Sequence, residues 1–127
     1  MSGNGYNSNF ILMKDVEQEL SFASRFLHSK SGRVLEVYSD QPGLQFDTAN
    51  HLPDPDAICE GSQIKITPPI IGKNGASYTR HGGFCLKSQC FPNAMNQKRF
   101  PKVILHPGNE YTHKIVMKFG LQLGKYL

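Results

Sequence analysis

The chain has 127 residues, enough for one domain with a core and too few for two. Its hydrophobic share of 39% suits a globular chain and excludes wholesale disorder, and no apolar run approaches the roughly 20 residues that cross a bilayer. The net charge of +4 comes from 14 scattered basic residues that form no nucleic-acid motif, so neither nucleic acid nor a membrane is expected as a partner.

The opening Met1-Ser2-Gly3-Asn4-Gly5-Tyr6 has no basic or apolar stretch of the secretory kind, and Cys59, Cys85 and Cys90 make an odd count with no paired spacing. Reduced thiols and a cytoplasmic location are the expectation. In chain order, Val16–Leu20 can form one helical turn at most. Leu20, Phe22, Ser24 and Phe26 alternate with smaller or polar residues, and Val34–Tyr38 is rich in strand formers. Between them His28-Ser29-Lys30-Ser31-Gly32 supplies turn chemistry, which predicts a hairpin. A further strand is expected at Leu44–Thr48.

Leu52–Ile71 carries Pro53, Pro55, Pro68 and Pro69 and reads as a long excursion, with a short strand at Gln63–Ile66. Phe84–Ser88 and Lys102–Leu105 are the next predicted strands. Tyr111, His113, Ile115, Met117, Phe119, Leu121 and Leu123 then place a large residue at every second position, the period of a half-buried strand. Such a strand would span about 40 Å, long enough to expect a bend or bulge near Gly120. Repeats and low-complexity tracts are absent from the sequence. Strand periodicity gives an all-β chain and leaves sandwich and barrel both open.

One segment carries chemistry: His81-Gly82-Gly83-Phe84-Cys85-Leu86-Lys87-Ser88-Gln89-Cys90-Phe91-Pro92-Asn93-Ala94. It resembles the catalytic-base segment of the aldose 1-epimerase (galactose mutarotase) family. Ser31–Tyr38 with Gln41–Phe46, Gly72–Gly75, Arg99–Pro101 and Leu105–His113 continue the likeness in the family's order, so that it runs over nearly all of residues 3–124. The resemblance implies an antiparallel β-sandwich, a truncated galactose mutarotase-like supersandwich, with residues 1–127 as a single partial domain. It covers the C-terminal portion of the family domain, and the segments bearing the family's arginine and two active-site histidines lie outside this sequence.

The family reaction interconverts the α and β anomers of aldoses such as galactose and glucose, without a cofactor. It needs a base at the anomeric hydroxyl and an acid at the ring oxygen. The resemblance places the base, a glutamate in the family pattern Gly-Phe-Cys-Leu-Glu-Thr-Gln, at Lys87. A lysine, with a reference pKa of about 10.4, is protonated at neutral pH and cannot accept that proton unless burial lowers its pKa. The resemblance also implies sugar-hydroxyl contacts from Gln45 and from Asn7, the latter in Gly5-Tyr6-Asn7-Ser8-Asn9-Phe10 where the family has an aspartate. The residues alone also allow Asn7 as a turn residue beside Gly5 and Gln45 as a strand amide bonded to backbone. Asp47 stands where the family commonly has an aromatic.

His81, Cys85, Cys90, His106 and His113 include ligand-type side chains but no zinc spacing, so no metal is expected. Cys85 or Cys90 beside His81 could be read as a thiol nucleophile, yet Cys85 already has a place in the family motif. A sandwich that lacks part of its strands exposes apolar faces, Phe119, Leu121 and Leu123 here, so that either the remaining strands close into a smaller sandwich, or a protein partner or self-association covers them, or the chain folds poorly. Three functions follow: a carbohydrate-binding protein of the family with weak or absent mutarotation, a catalytically inactive paralogue acting as an interaction protein, and a fragment of a longer epimerase.

Overall fold

A computed structural model of the chain describes residues 4–13, 19–54 and 68–122. Among these the strands are β1 (Asn7–Ile11), β2 (Ser21–His28), β3 (Arg33–Ser39), β4 (Gly43–Asp47), β5 (Ile70–Ile71), β6 (Ser77–Tyr78), β7 (Cys85–Gln89) and β8 (Ile115–Leu121), and the only helical pieces are single 3₁₀ turns at Lys73–Gly75 and Ala94–Asn96. The sheets run β1-β4-β7, β2-β3-β8 and β5-β6. The pairs β2/β3, β3/β8 and β5/β6 are antiparallel. The all-β expectation holds. The predicted strand at Gln63–Ile66, Val16–Gln18 of the predicted turn, Cys59 and Leu123 lie outside the described residues.

The described chain divides into two compact units, residues 1–8 with 45–87, and residues 9–44 with 88–127. The second holds the buried core. β2 and β3 form the predicted hairpin, with His28 opposite Arg33. The turn closes through His28 O, which accepts the N–H groups of Ser31 and Gly32. Gly32 sits at φ 68°, and a Cβ there would lie 2.5 Å from the carbonyl oxygen of Gln122, so the turn requires glycine. β3 is central, and its Val37, fully buried, faces Ser24 and Met117 across the two ladders. Leu44 and Ala94 complete the buried apolar set among the described residues.

β8 departs from expectation in three ways. It begins at Ile115 rather than Tyr111, because β3 ends opposite it at Ser39 and the Asp40 carboxylate then takes the Lys114 N–H at 2.9 Å. It passes through Gly120 in continuous register, and the irregularity lies instead in β2, between Phe22 and Ser24. It is not half-buried: every residue of β8 is exposed, Phe119 at 78% and Leu121 at 67%. The predicted strand at Lys102–Leu105 is also not formed; with Pro101, this segment lines a hollow of about 610 Å³ together with Asp40, Gln41, Pro42, Cys90 and Tyr111.

The other face of the same sheet is polar. Arg25 Nε lies 3.3 Å from Glu36 Oε1, Tyr38 donates its hydroxyl to Glu36 Oε2 at 3.1 Å, and Lys118 Nζ stands 4.5 Å from the centre of the Tyr38 ring. The bond to Glu36 favours the protonated phenol and, with partial desolvation and the carboxylate's charge, raises the Tyr38 pKa above 10.0. Its stabilising contribution is therefore complete below pH 10 and disappears as pH rises through the folded-state value. Glu36→Gln should move the Tyr38 phenol back toward the ordinary tyrosine range in an ultraviolet pH titration, and an unchanged titration would contradict this assignment.

Candidate functional site

The first unit has a ringed side and a polar side. Tyr6, just before β1, packs on Phe46 of β4 with ring centres 5.4 Å apart, and Phe46 meets Phe84, just before β7, at 6.0 Å. Alternation along the strands sends the intervening residues, Asn7, Gln45 and Lys87, to the opposite side. There Gln45 Nε2 donates to Asn7 Oδ1 at 2.7 Å. Gln45 thus pairs with a side chain rather than with backbone, and Asn7 opens a strand rather than serving as a turn residue. Lys87 is exposed in the middle of β7, and among the described residues no hydrogen bond or ion pair joins it to Gln45 or Asn7.

The bond between the two amides has a chemical consequence. With Gln45 Nε2 donating and Asn7 Oδ1 accepting, Gln45 Oε1 is left as an acceptor and Asn7 Nδ2 as a donor. A sugar hydroxyl can donate to one and accept from the other. Both groups are neutral, so each bond is weaker than one to an ionised aspartate.

Three further residues of this unit form a cluster that sequence reasoning did not assign to the site. Thr48 Oγ1 accepts the Tyr6 N–H at 2.8 Å and donates to Asn50 Oδ1 at 2.7 Å, while Asn50 Nδ2 donates to Tyr6 O at 2.8 Å. His81 Nε2 lies 3.2 Å from Asn50 Oδ1. Among the described residues no hydrogen bond joins His81 to Cys85 or Cys90, so the structure does not assemble the thiol–imidazole pair of the nucleophile reading. Asp47 Oδ1 accepts the Ala49 N–H at 2.8 Å, so this carboxylate shapes the turn after β4. A run of short polar residues directly after a strand was the available signal. Among the described residues no three His, Cys, Asp or Glu side chains converge as metal ligands. Cys85 and Cys90 are free thiols.

The polar side of β1, β4 and β7 thus carries the three positions that the sequence motifs single out, and a family model described as aldose 1-epimerase matches residues 2–118. The chain belongs to the aldose 1-epimerase family. It is 46% identical over 118 residues to the galactose mutarotase of Homo sapiens, covering 93% of this chain and 30% of that protein. The galactose mutarotase of Sus scrofa matches equally, at 46% with the same coverage, and that of Rattus norvegicus at 41% over 92% of this chain and 30% of its own length. The chain therefore spans about 30% of the length of these curated relatives. Its antiparallel, strand-built architecture agrees with an all-β aldose 1-epimerase-like sandwich. No helix among the described residues is long and apolar enough to cross a membrane.

Proposed function

We propose that this chain binds aldohexoses such as galactose or glucose through Gln45 and Asn7, as a carbohydrate-binding protein of the aldose 1-epimerase family whose mutarotation is weak or absent. The observation that carries the reading is the Gln45–Asn7 amide pair, which offers one acceptor and one donor to a hydroxyl from the side of the sheet that also bears Lys87. Lys87 is exposed and stands where the family pattern has its glutamate base, and loss of a general base costs about 10²–10⁴ in rate. Residues 1–127 are read as one partial galactose mutarotase-like domain, working in the cytoplasm without a cofactor; the free thiols Cys85 and Cys90 support that compartment.

Amide correlation NMR spectra with and without millimolar galactose test the binding. Signals of β1 and β4 should shift on titration, and Gln45→Ala should weaken the affinity about tenfold, the value of one or two neutral hydrogen bonds. Spectra that ignore galactose would sink the reading. In polarimetry with fresh α-galactose, the chain should give the buffer rate at every protein concentration, and a rate that climbs with concentration would show that Lys87 does not silence the reaction.

A second reading, an inactive paralogue acting as an interaction protein, draws on the exposed apolar residues Phe119 and Leu121 of β8, which a partner chain or a second copy would cover. A fragment of a longer epimerase is the third, favoured by the 30% coverage of the relatives. Lys87 occupies the base position in either case.

A further inference from the structure

The bonds around Tyr6 have a common geometry. Where β4 has ended, the side chains of Thr48 and Asn50 replace a neighbouring strand: Thr48 Oγ1 takes the Tyr6 N–H at 2.8 Å, and Asn50 Nδ2 gives to the Tyr6 carbonyl at 2.8 Å, alongside the Thr48 N–H at 3.0 Å. Both polar groups of one peptide residue are thus held by a matched pair. The two holders are themselves joined, Thr48 Oγ1 to Asn50 Oδ1 at 2.7 Å, and His81 Nε2 fixes that same oxygen from the other side at 3.2 Å. Tyr6 is the residue before Asn7, so the orientation of its peptide sets the direction in which the Asn7 side chain leaves the strand.

A second observation bears on the same bracket. A Cβ on Gly5 would lie 2.2 Å from Asn50 Oδ1, 2.3 Å from Thr48 Oγ1 and 2.9 Å from His81 Nε2, so the cluster closes over a position that only glycine can fill. Ala49 and His81, both non-glycine, stand in the left-handed region at φ 57° and 58°. Such conformations persist where surrounding bonds over-determine them.

We infer that Thr48 and Asn50 are positioning residues that hold Asn7 against Gln45, and so set the geometry of the hydroxyl-contacting amide pair. The inference rests on the sugar-binding role proposed above for that pair, but its geometric content is testable without sugar.

The experiment uses the whole chain and three variants, Thr48→Val, Asn50→Ala and Thr48→Ser. In sugar-free NMR spectra the side-chain amide signals of Gln45 report its bond to Asn7. Thr48→Val and Asn50→Ala should move those signals toward the positions of a free glutamine amide, while Thr48→Ser, which keeps the hydroxyl, should leave them in place. Galactose affinity should fall about fivefold in the first two and stay within about twofold in the third, in keeping with one hydrogen bond lost. Should Asn50→Ala fail to fold, the comparison of Thr48→Val with Thr48→Ser carries the test alone. Gln45 amide signals unchanged in Thr48→Val would overturn the inference. A wild-type chain that ignores galactose, with Gln45 signals that still respond to Thr48→Val, would uphold the bracket and remove the sugar-binding role instead.

Discussion

Gly5→Ala should lower the stability of the first unit by about 3 kcal/mol, read from urea titrations of the amide signals of Tyr6, Thr48 and Asn50. The backbone term comes from φ 76°, where a side chain costs about 1–2 kcal/mol. The contact term comes from the 2.2 and 2.3 Å approaches to Asn50 and Thr48. A flexible side chain could swing away from such a clash, but these two are tied to Tyr6 and to each other, and moving them gives up bonds worth about 1 kcal/mol each. No described residue of this unit is buried, so polar bonds and the Tyr6–Phe46–Phe84 rings carry its described part. Gly83→Ala is the control: nothing lies within 4 Å of the added methyl, and its effect should stay within about 0.5 kcal/mol. Equal effects at the two positions would show that the bracket does not constrain residue 5.

Val37→Asp should unfold the second unit outright. Val37 is fully buried on the central strand, with a neighbour strand bonded on each side. Removing its methyls, as in Val37→Ala, costs about 2 kcal/mol. A carboxylate in the same place must be desolvated with no cation opposite it, since Ser24 and Met117 are its ladder partners, and an unpaired buried charge costs at least about 3–5 kcal/mol. Typical domains have about 5–15 kcal/mol in all, and this unit has only Val37, Leu44 and Ala94 as buried apolar residues among those described. Loss of the dispersed signals of β2, β3 and β8 is the expected spectrum. Phe119→Ser, at a side chain 78% exposed, should leave those signals in place.

The hairpin was legible because three local signals agree there: alternation in β2, strand formers in β3 and a glycine where the turn needs a positive φ. β4 and β7 were legible from pattern and motif together. The ends of β8 were not, because strand length is a property of the pair. Tyr111 and His113 continue the alternation, but β3 stops at Ser39 and leaves them no ladder to join. Lys102–Leu105 has strand composition and, likewise, no strand to pair with among the described residues. β1 escaped because its Asn-Ser-Asn composition favours turns, a preference that pairing in the β1-β4-β7 sheet overrides.

The candidate site was half legible. Motif position singled out Gln45, Asn7 and Lys87, and the structure adds a bond between the first two. Thr48 and Asn50 left only the faint signal of short polar residues after a strand, because their role lies in holding the backbone of a residue more than forty positions earlier, a relation with no period and no spacing.

The β3–β8 ladder also constrains how the chain is made. β2 and β3 leave the ribosome close together and can close their hairpin at once, but the strand that flanks the other side of Val37 follows only after residues 40–114 have been made. Until residues 115–121 emerge, the central strand of the second unit has one bare edge, and the nascent chain carries that edge while the intervening residues are synthesised. Chaperone dependence during synthesis should therefore track the arrival of β8 rather than the formation of the hairpin.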